Sequence, residues 1–128
     1  MTEKLPLAPV SWGELIDKIT ILEIKCARLT SPGAIANAAK ELALLRAIAA
    51  PVLAETRELT ARLKSLNENL WEIEDKIRDK EAAGSFDADF IALARSVYRT
   101  NDERGALKKQ INLLLKSELI EEKGYKPY

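Results

Sequence analysis

The sequence predicts an all-α protein: long antiparallel helical hairpins with heptad seams, packed as a helical bundle and completed by oligomerisation. Three observations lead there. Ala, Leu, Ile, Glu and Lys dominate while aromatic residues make up only 5%, which is helix composition. Apolar residues recur at alternating spacings of three and four along most of the chain. No stretch alternates apolar and polar residues around β-branched ones, so nothing reads as a strand. At 128 residues the default is one domain with a core of its own.

Ser11 reads as an N-cap, with Glu14 three positions on as the other half of a capping box. The first helix is expected over 12–29. In it Leu15, Ile19, Leu22, Cys26 and Leu29 repeat at spacings of 4, 3, 4 and 3, a heptad seam. Ser31-Pro32-Gly33 ends that helix and opens the next, because proline is tolerated in a first helical turn. From Ile35 the same alternation runs through Leu42, Leu45, Val52, Leu59, Leu63, Leu66, Leu70, Ile73 and Ile77. Pro51 falls inside the series, where an interior proline costs ~3 kcal/mol. Two readings are open: one kinked helix, or two helices over about 34–50 and 52–83. The unbroken phase favours the first and the cost favours the second.

Gly84-Ser85 reads as a loop and Asp87 as the next N-cap, with Phe86 and Ile91 spaced for a hydrophobic staple. The last helix is expected over 88–119, with Thr100 and Glu103 as an internal capping box where it would be interrupted. Residues 1–10 form a segment ahead of the 11–120 helical domain, and 121–128 a loose C-terminal tail.

Composition narrows the function. Twenty basic residues balance twenty acidic ones, so no nucleic-acid partner is expected. The longest apolar run, Ala47 to Ala54, is far short of the ~20 residues that span a bilayer, and no membrane insertion is expected. There is no histidine, which argues against a metal site and against Ser-His or Cys-His chemistry. No metal, no cofactor and no catalytic residue is assigned. The single cysteine, Cys26, suits a reducing compartment, and residues 1–10 lack the apolar core of a signal peptide. A cytoplasmic location is therefore expected.

One polar site stands out. If the chain turns near 85–86, residues 71 and 101 face each other across an antiparallel hairpin, as do 74 and 98. Trp71, Glu74 and Arg78 share a face at i, i+3, i+7. Opposite them, Val97, Asn101, Arg104 and Lys108 continue the seam of Phe90, Ala94, Ile111 and Leu115, so the seam turns polar in its middle. As a ligand site, Arg78, Arg104 and Lys108 would hold a carboxylate or phosphate, with Asn101 and Tyr98 as donors and Trp71 as a stacking wall. The alternative is a buried, satisfied network that fixes helix register. Glu74–Arg78 also has the spacing of an ordinary intrahelical pair.

A second surface lies on the first helix. Ile21 and Ile24 fall away from its seam and join a face with Asp17 and Lys25. That face is either a subunit interface or the second buried side of a core helix. A homo-oligomer, dimer or tetramer, is the expected assembly, with a different protein as the other candidate partner.

Four stretches carry a resemblance: Val10-Ser-Trp-Gly-Glu-Leu-Ile-Asp-Lys-Ile-Thr-Ile-Leu-Glu-Ile-Lys25, Leu70-Trp-Glu-Ile-Glu-Asp-Lys-Ile-Arg78, Val97-Tyr-Arg-Thr-Asn-Asp-Glu-Arg104 and Ser117-Glu-Leu-Ile-Glu-Glu-Lys123. On them the chain resembles a family of small bacterial proteins known only as a domain of unknown function. The resemblance implies a helical fold and a bacterial source, and it brings no activity. The expectation is a non-enzymatic scaffold or adaptor acting through protein contacts. The alternative is a binding module for an anionic or sugar-phosphate-like metabolite, and behind both stands a helical-bundle enzyme acting on an acidic substrate.

Overall fold

A computed structural model describes residues 4–128; the first three residues of the segment ahead of Ser11 lie outside it. Four helices follow one another: α1 (Trp12–Arg28), α2 (Pro32–Ala49), α3 (Arg57–Ala83) and α4 (Ala88–Leu114). There is no strand among the described residues, and the all-α bundle is as expected.

The helix ends follow local chemistry. The Ser11 hydroxyl accepts the Glu14 N–H at 3.2 Å, half of the expected capping box. The other half does not form, because the Glu14 carboxylate turns to Lys108. Ser31 caps α2, and Pro32 sits in its first turn. Pro51 breaks the chain rather than kinking it: Ala50–Val52 is a 3-10 turn, and α3 begins only at Arg57. The broken reading fits the cost of an interior proline. Thr56 at the break is buried, and its hydroxyl donates to Val52 O at 2.8 Å.

Gly84, at φ 63°, closes α3, and Ser85 N–H reaches back to Lys80 O at 2.9 Å. Asp87 accepts the Phe90 N–H at 3.0 Å and so caps α4. Phe86 meets the Phe90 ring edge-on at 5.2 Å, while Phe86 and Ile91 both stay exposed, so the staple is replaced by an aromatic pair. Helix α4 runs through Thr100 without interruption and stops at Leu114 rather than near Leu119. The stop is a left-handed Lys116 (φ 52°), with Ser117 N–H on Asn112 O at 2.8 Å. This is the usual glycine closure made without glycine.

Helix α1 is the middle layer. Its seam residues Leu15, Ile19 and Leu22 form one core with Ala38, Leu42 and Ala49 of α2, flanked by Cys26 and Leu45. Its opposite side sends Ile16 into a second core with Leu63 of α3 and Leu107 and Ile111 of α4. Trp12 touches both cores. Helix α2 packs on α1 and on the 3-10 turn but not on α3 or α4. The α3–α4 hairpin and α2 therefore lie on opposite sides of α1, whose two apolar faces are both used.

Candidate functional site

Helices α1 and α4 are in close contact at Gly13. A methyl group there would overlap Lys108 O and lie 3.0 Å from Asn112 Oδ1. The absence of a side chain brings the two backbones together, and Gly13 N–H donates to Asn112 Oδ1 at 2.7 Å. This close approach lines up the polar groups of α1 with those of α4.

Asp17 is 1% exposed and lies at the centre of the resulting layer. The Arg104 guanidinium grips both its oxygens, Nε to Oδ1 at 2.9 Å and Nη2 to Oδ2 at 2.5 Å. Such a fork is the strong form of a charged hydrogen bond. Asn67 of α3 donates to Asp17 Oδ1 and to Thr20 Oγ1, both at 2.9 Å, and Thr20 donates to Asp17 O at 2.7 Å. One turn along, the buried Lys108 ammonium reaches Glu14 at 2.7 Å and Glu121 of the tail at 2.9 Å.

No fully buried polar side-chain atom lacks a partner among the described residues. Hydrogen bonding to Asp17 pushes the Arg104 guanidinium up against the opposing effect of burial. Burial pushes the Lys108 ammonium down, but its bonds to Glu14 and Glu121 outweigh this and raise it. Both cations are thus held charged and internally neutralised.

The layer separates two grooves. Trp71, Glu74, Arg78, Asn101 and Arg104 line a shallow one of about 500 Å³, together with Ile21 and Ile24 of α1. The expected hairpin register thus does bring Trp71 and Asn101 to one place. Tyr98 and Lys108 line the other groove, of about 930 Å³, which α4 forms with the C-terminal tail; Asn101 and Arg104 border both. Arg78 is exposed and paired with Glu74 one turn away, the ordinary intrahelical pair. Of the expected interface residues, Asp17 is inside the polar layer, Ile24 is 3% exposed, and Ile21 and Lys25 remain half-buried.

Sequence reasoning passed over Asn67, Glu14 and Glu121 as members of this layer and left the Asp17 face open between a subunit interface and a second buried side; Asp17 and Ile24 are buried within the chain. A signal for part of it was present. Glu14 and Asp17 are three apart on one helix, and Arg104 and Lys108 are four apart on another, so antiparallel helices can match them charge for charge. The tail residue Glu121 had no such signal.

Fold and site define an all-α protein of four helices built around a self-neutralised polar layer. Among the described residues no helix is long and apolar enough to cross a membrane, and no group of residues is arranged to hold a metal ion. The chain belongs to the family of unknown function DUF6165, whose model matches residues 8–128. No curated protein and no solved structure matches it.

Proposed function

We propose that the protein is a non-enzymatic helical scaffold acting through protein–protein contacts, with the outward face of α2 as its contact surface and a second copy of the chain as its partner. The observation that carries this is that α2 carries apolar side chains, interrupted by Asn37 and Lys40, on its outward side as well as on the side packed against α1. An apolar helix face is ordinarily buried against a neighbour. Its inward stripe, Ala38, Leu42, Leu45 and Ala49, sits on α1. Its outward side carries Ala36, Ala39, Ala43 and Ala47, with Leu44 43% and Ile48 56% exposed.

Two such faces suit each other. In an antiparallel pair centred between residues 43 and 44, Leu44 of one copy meets Ala43 of the other, and Ile48 meets Ala39. Large side chains then lie over small ones, and Lys40 faces Ala47 rather than another charge. Arg46, at the edge, is turned to Glu23 at 2.6 Å. A two-fold axis makes both halves of the contact the same. A lone, partly buried Cys26 suits a scaffold in the reducing cytoplasm.

Light scattering on the eluting protein tests this, comparing the natural chain with a Leu44→Asp/Ile48→Asp variant. The expected result is twice the chain mass for the first, one chain mass for the second, and equal helix content by circular dichroism. A natural chain that stays monomeric, or a variant of unchanged mass, would overturn the proposal.

A second reading takes the Trp71 groove as a metabolite site, and the gathering of five expected residues there favours it. It ranks below the scaffold because Arg104 and Arg78 are already paired with carboxylates of their own chain.

A further inference from the structure

We propose that the groove between α4 and the C-terminal tail is a binding site for the oxyanion of a small metabolite, a phosphate or a carboxylate, independent of any contact through α2. The tail runs back along α4. It leaves the helix at Ser117, whose hydroxyl accepts the Trp12 N–H at 3.2 Å. It is pinned by Glu121 to Lys108 at 2.9 Å and by the Tyr128 hydroxyl to Asp102 at 2.6 Å. The Tyr128 ring also meets Tyr98 edge-on at 5.0 Å. Every residue from Glu118 to Tyr128 is nonetheless exposed, so polar contacts rather than apolar burial hold the tail in place. Between tail and helix lies the groove of about 930 Å³.

The unused hydrogen-bonding groups of this groove are mainly donors. Asn112 is 2% exposed, and its Oδ1 is taken by Gly13 N–H. Its Nδ2 has no hydrogen-bond partner among the described residues, and since no fully buried polar atom there lacks one, Nδ2 is the edge of the residue open to the groove it lines. Asn101 is exposed, with its Oδ1 taken by Arg104 at 3.3 Å and its Nδ2 without a hydrogen-bond partner among the described residues. Of the lining cations, Arg104, Lys108 and Lys123 are neutralised by Asp17, Glu14 and Glu121. Lys109 and Lys126 have no carboxylate in reach among the described residues.

Three lining carboxylates oppose an anion. Asp102 is taken up by Tyr128 and Glu121 by two lysines, while Glu122 has no cation in reach among the described residues. Two ammonium groups without a carboxylate partner and two amide donors thus share the groove with two carboxylates without a cation partner among the described residues, Asp102 and Glu122, and the free N–H donors on α4 make an acceptor-only group the complementary ligand.

The test is an NMR titration of the full chain with inorganic phosphate and, separately, acetate, at ionic strength held constant with sodium chloride. The expected result is a saturable shift of the Asn112 side-chain amide and of the Gly105, Lys109 and Gly124 backbone amides. A Lys109→Gln/Lys126→Gln variant should bind about tenfold more weakly, as loss of charged contacts implies, while Lys76→Gln, at an exposed lysine of α3 outside the groove, should change nothing. Both lysines are exposed, so folding is not at issue. Saturation by phosphate alone assigns a phosphorylated ligand, and saturation by acetate alone a carboxylated one. Shifts that never saturate, that spread over surface lysines outside the groove, or that survive the double substitution mean an adventitious ion only, and the proposal falls.

Discussion

Replacing Arg104 with methionine keeps most of the apolar stem of the side chain and removes its charge. Asp17, 1% exposed, would then be left with one hydrogen bond to its carboxylate, from Asn67 at 2.9 Å. Removing one partner of a buried ion pair typically costs ~3–5 kcal/mol, because the remaining charge is buried and uncompensated. The lower end applies here, since the Arg104 side chain is 27% exposed and water can follow its removal. A loss of ~3 kcal/mol is a large part of the ~5–15 kcal/mol that holds a domain folded.

Asp17→Asn should cost less, about 1–3 kcal/mol, because the freed guanidinium can turn to water. The double variant should cost less than the two single changes added together, with a coupling of about 2 kcal/mol. Urea unfolding followed by far-UV circular dichroism measures all three variants, with unchanged denaturant slopes as the check on two-state behaviour. The reasoning is refuted if Arg104→Met costs under about 1 kcal/mol, the range of a surface pair. Effects that add to within about 0.5 kcal/mol would refute it equally.

Gly13→Ala should destabilise by about 1–3 kcal/mol or more, because the added methyl meets the Lys108 backbone carbonyl, which cannot rotate away; a thermal melt within a degree or two of the natural chain would show that α1 and α4 do not meet so closely. The acid limb of stability should reflect two carboxylates. The N–H of Phe90, with Lys80, holds Asp87 down from 3.8 to about 2, and Lys123 and Lys108 hold Glu121 down from 4.5 to about 2. Each folded value lies below its unfolded one, so each contribution is whole above about pH 5 and is lost as pH falls towards 2. The Phe90 and Lys123 amides should titrate with midpoints near 2 by NMR, and midpoints near 4 would contradict the observed capping and tail contacts.

How much of this was legible depended on how far apart in sequence the deciding groups lie. Ser11, Ser31, Gly84 and Asp87 act within a few residues of themselves, and each helix boundary they set was readable. The end of α4 was not, because Lys116 takes a left-handed conformation that sequence signals assign to glycine. The unbroken apolar phase across Pro51 misled in the other direction. Val52 and Leu59 keep the period and pack beside Ile16 and Leu63, although the 3-10 turn ends at Val52 and a turn over 53–56 precedes α3; phase reports which side faces the core, not whether the helix is continuous.

The site shows the same limit more sharply. Trp71 and Asn101 were brought together correctly because one tight loop fixes the α3–α4 register. What neutralises Arg104 could not be read from that hairpin, since Asp17 belongs to α1. The meaning of a polar seam residue depends on the third helix laid against it, and here that helix is placed by Gly13, whose role is the side chain it lacks. A cation left unpaired by α1 would have made a ligand site of the hairpin. Asp17 and Glu14 pair with its cations instead, and the search for a ligand moves to the face of α4 where Lys109 and Asn112 Nδ2 have no partner among the described residues.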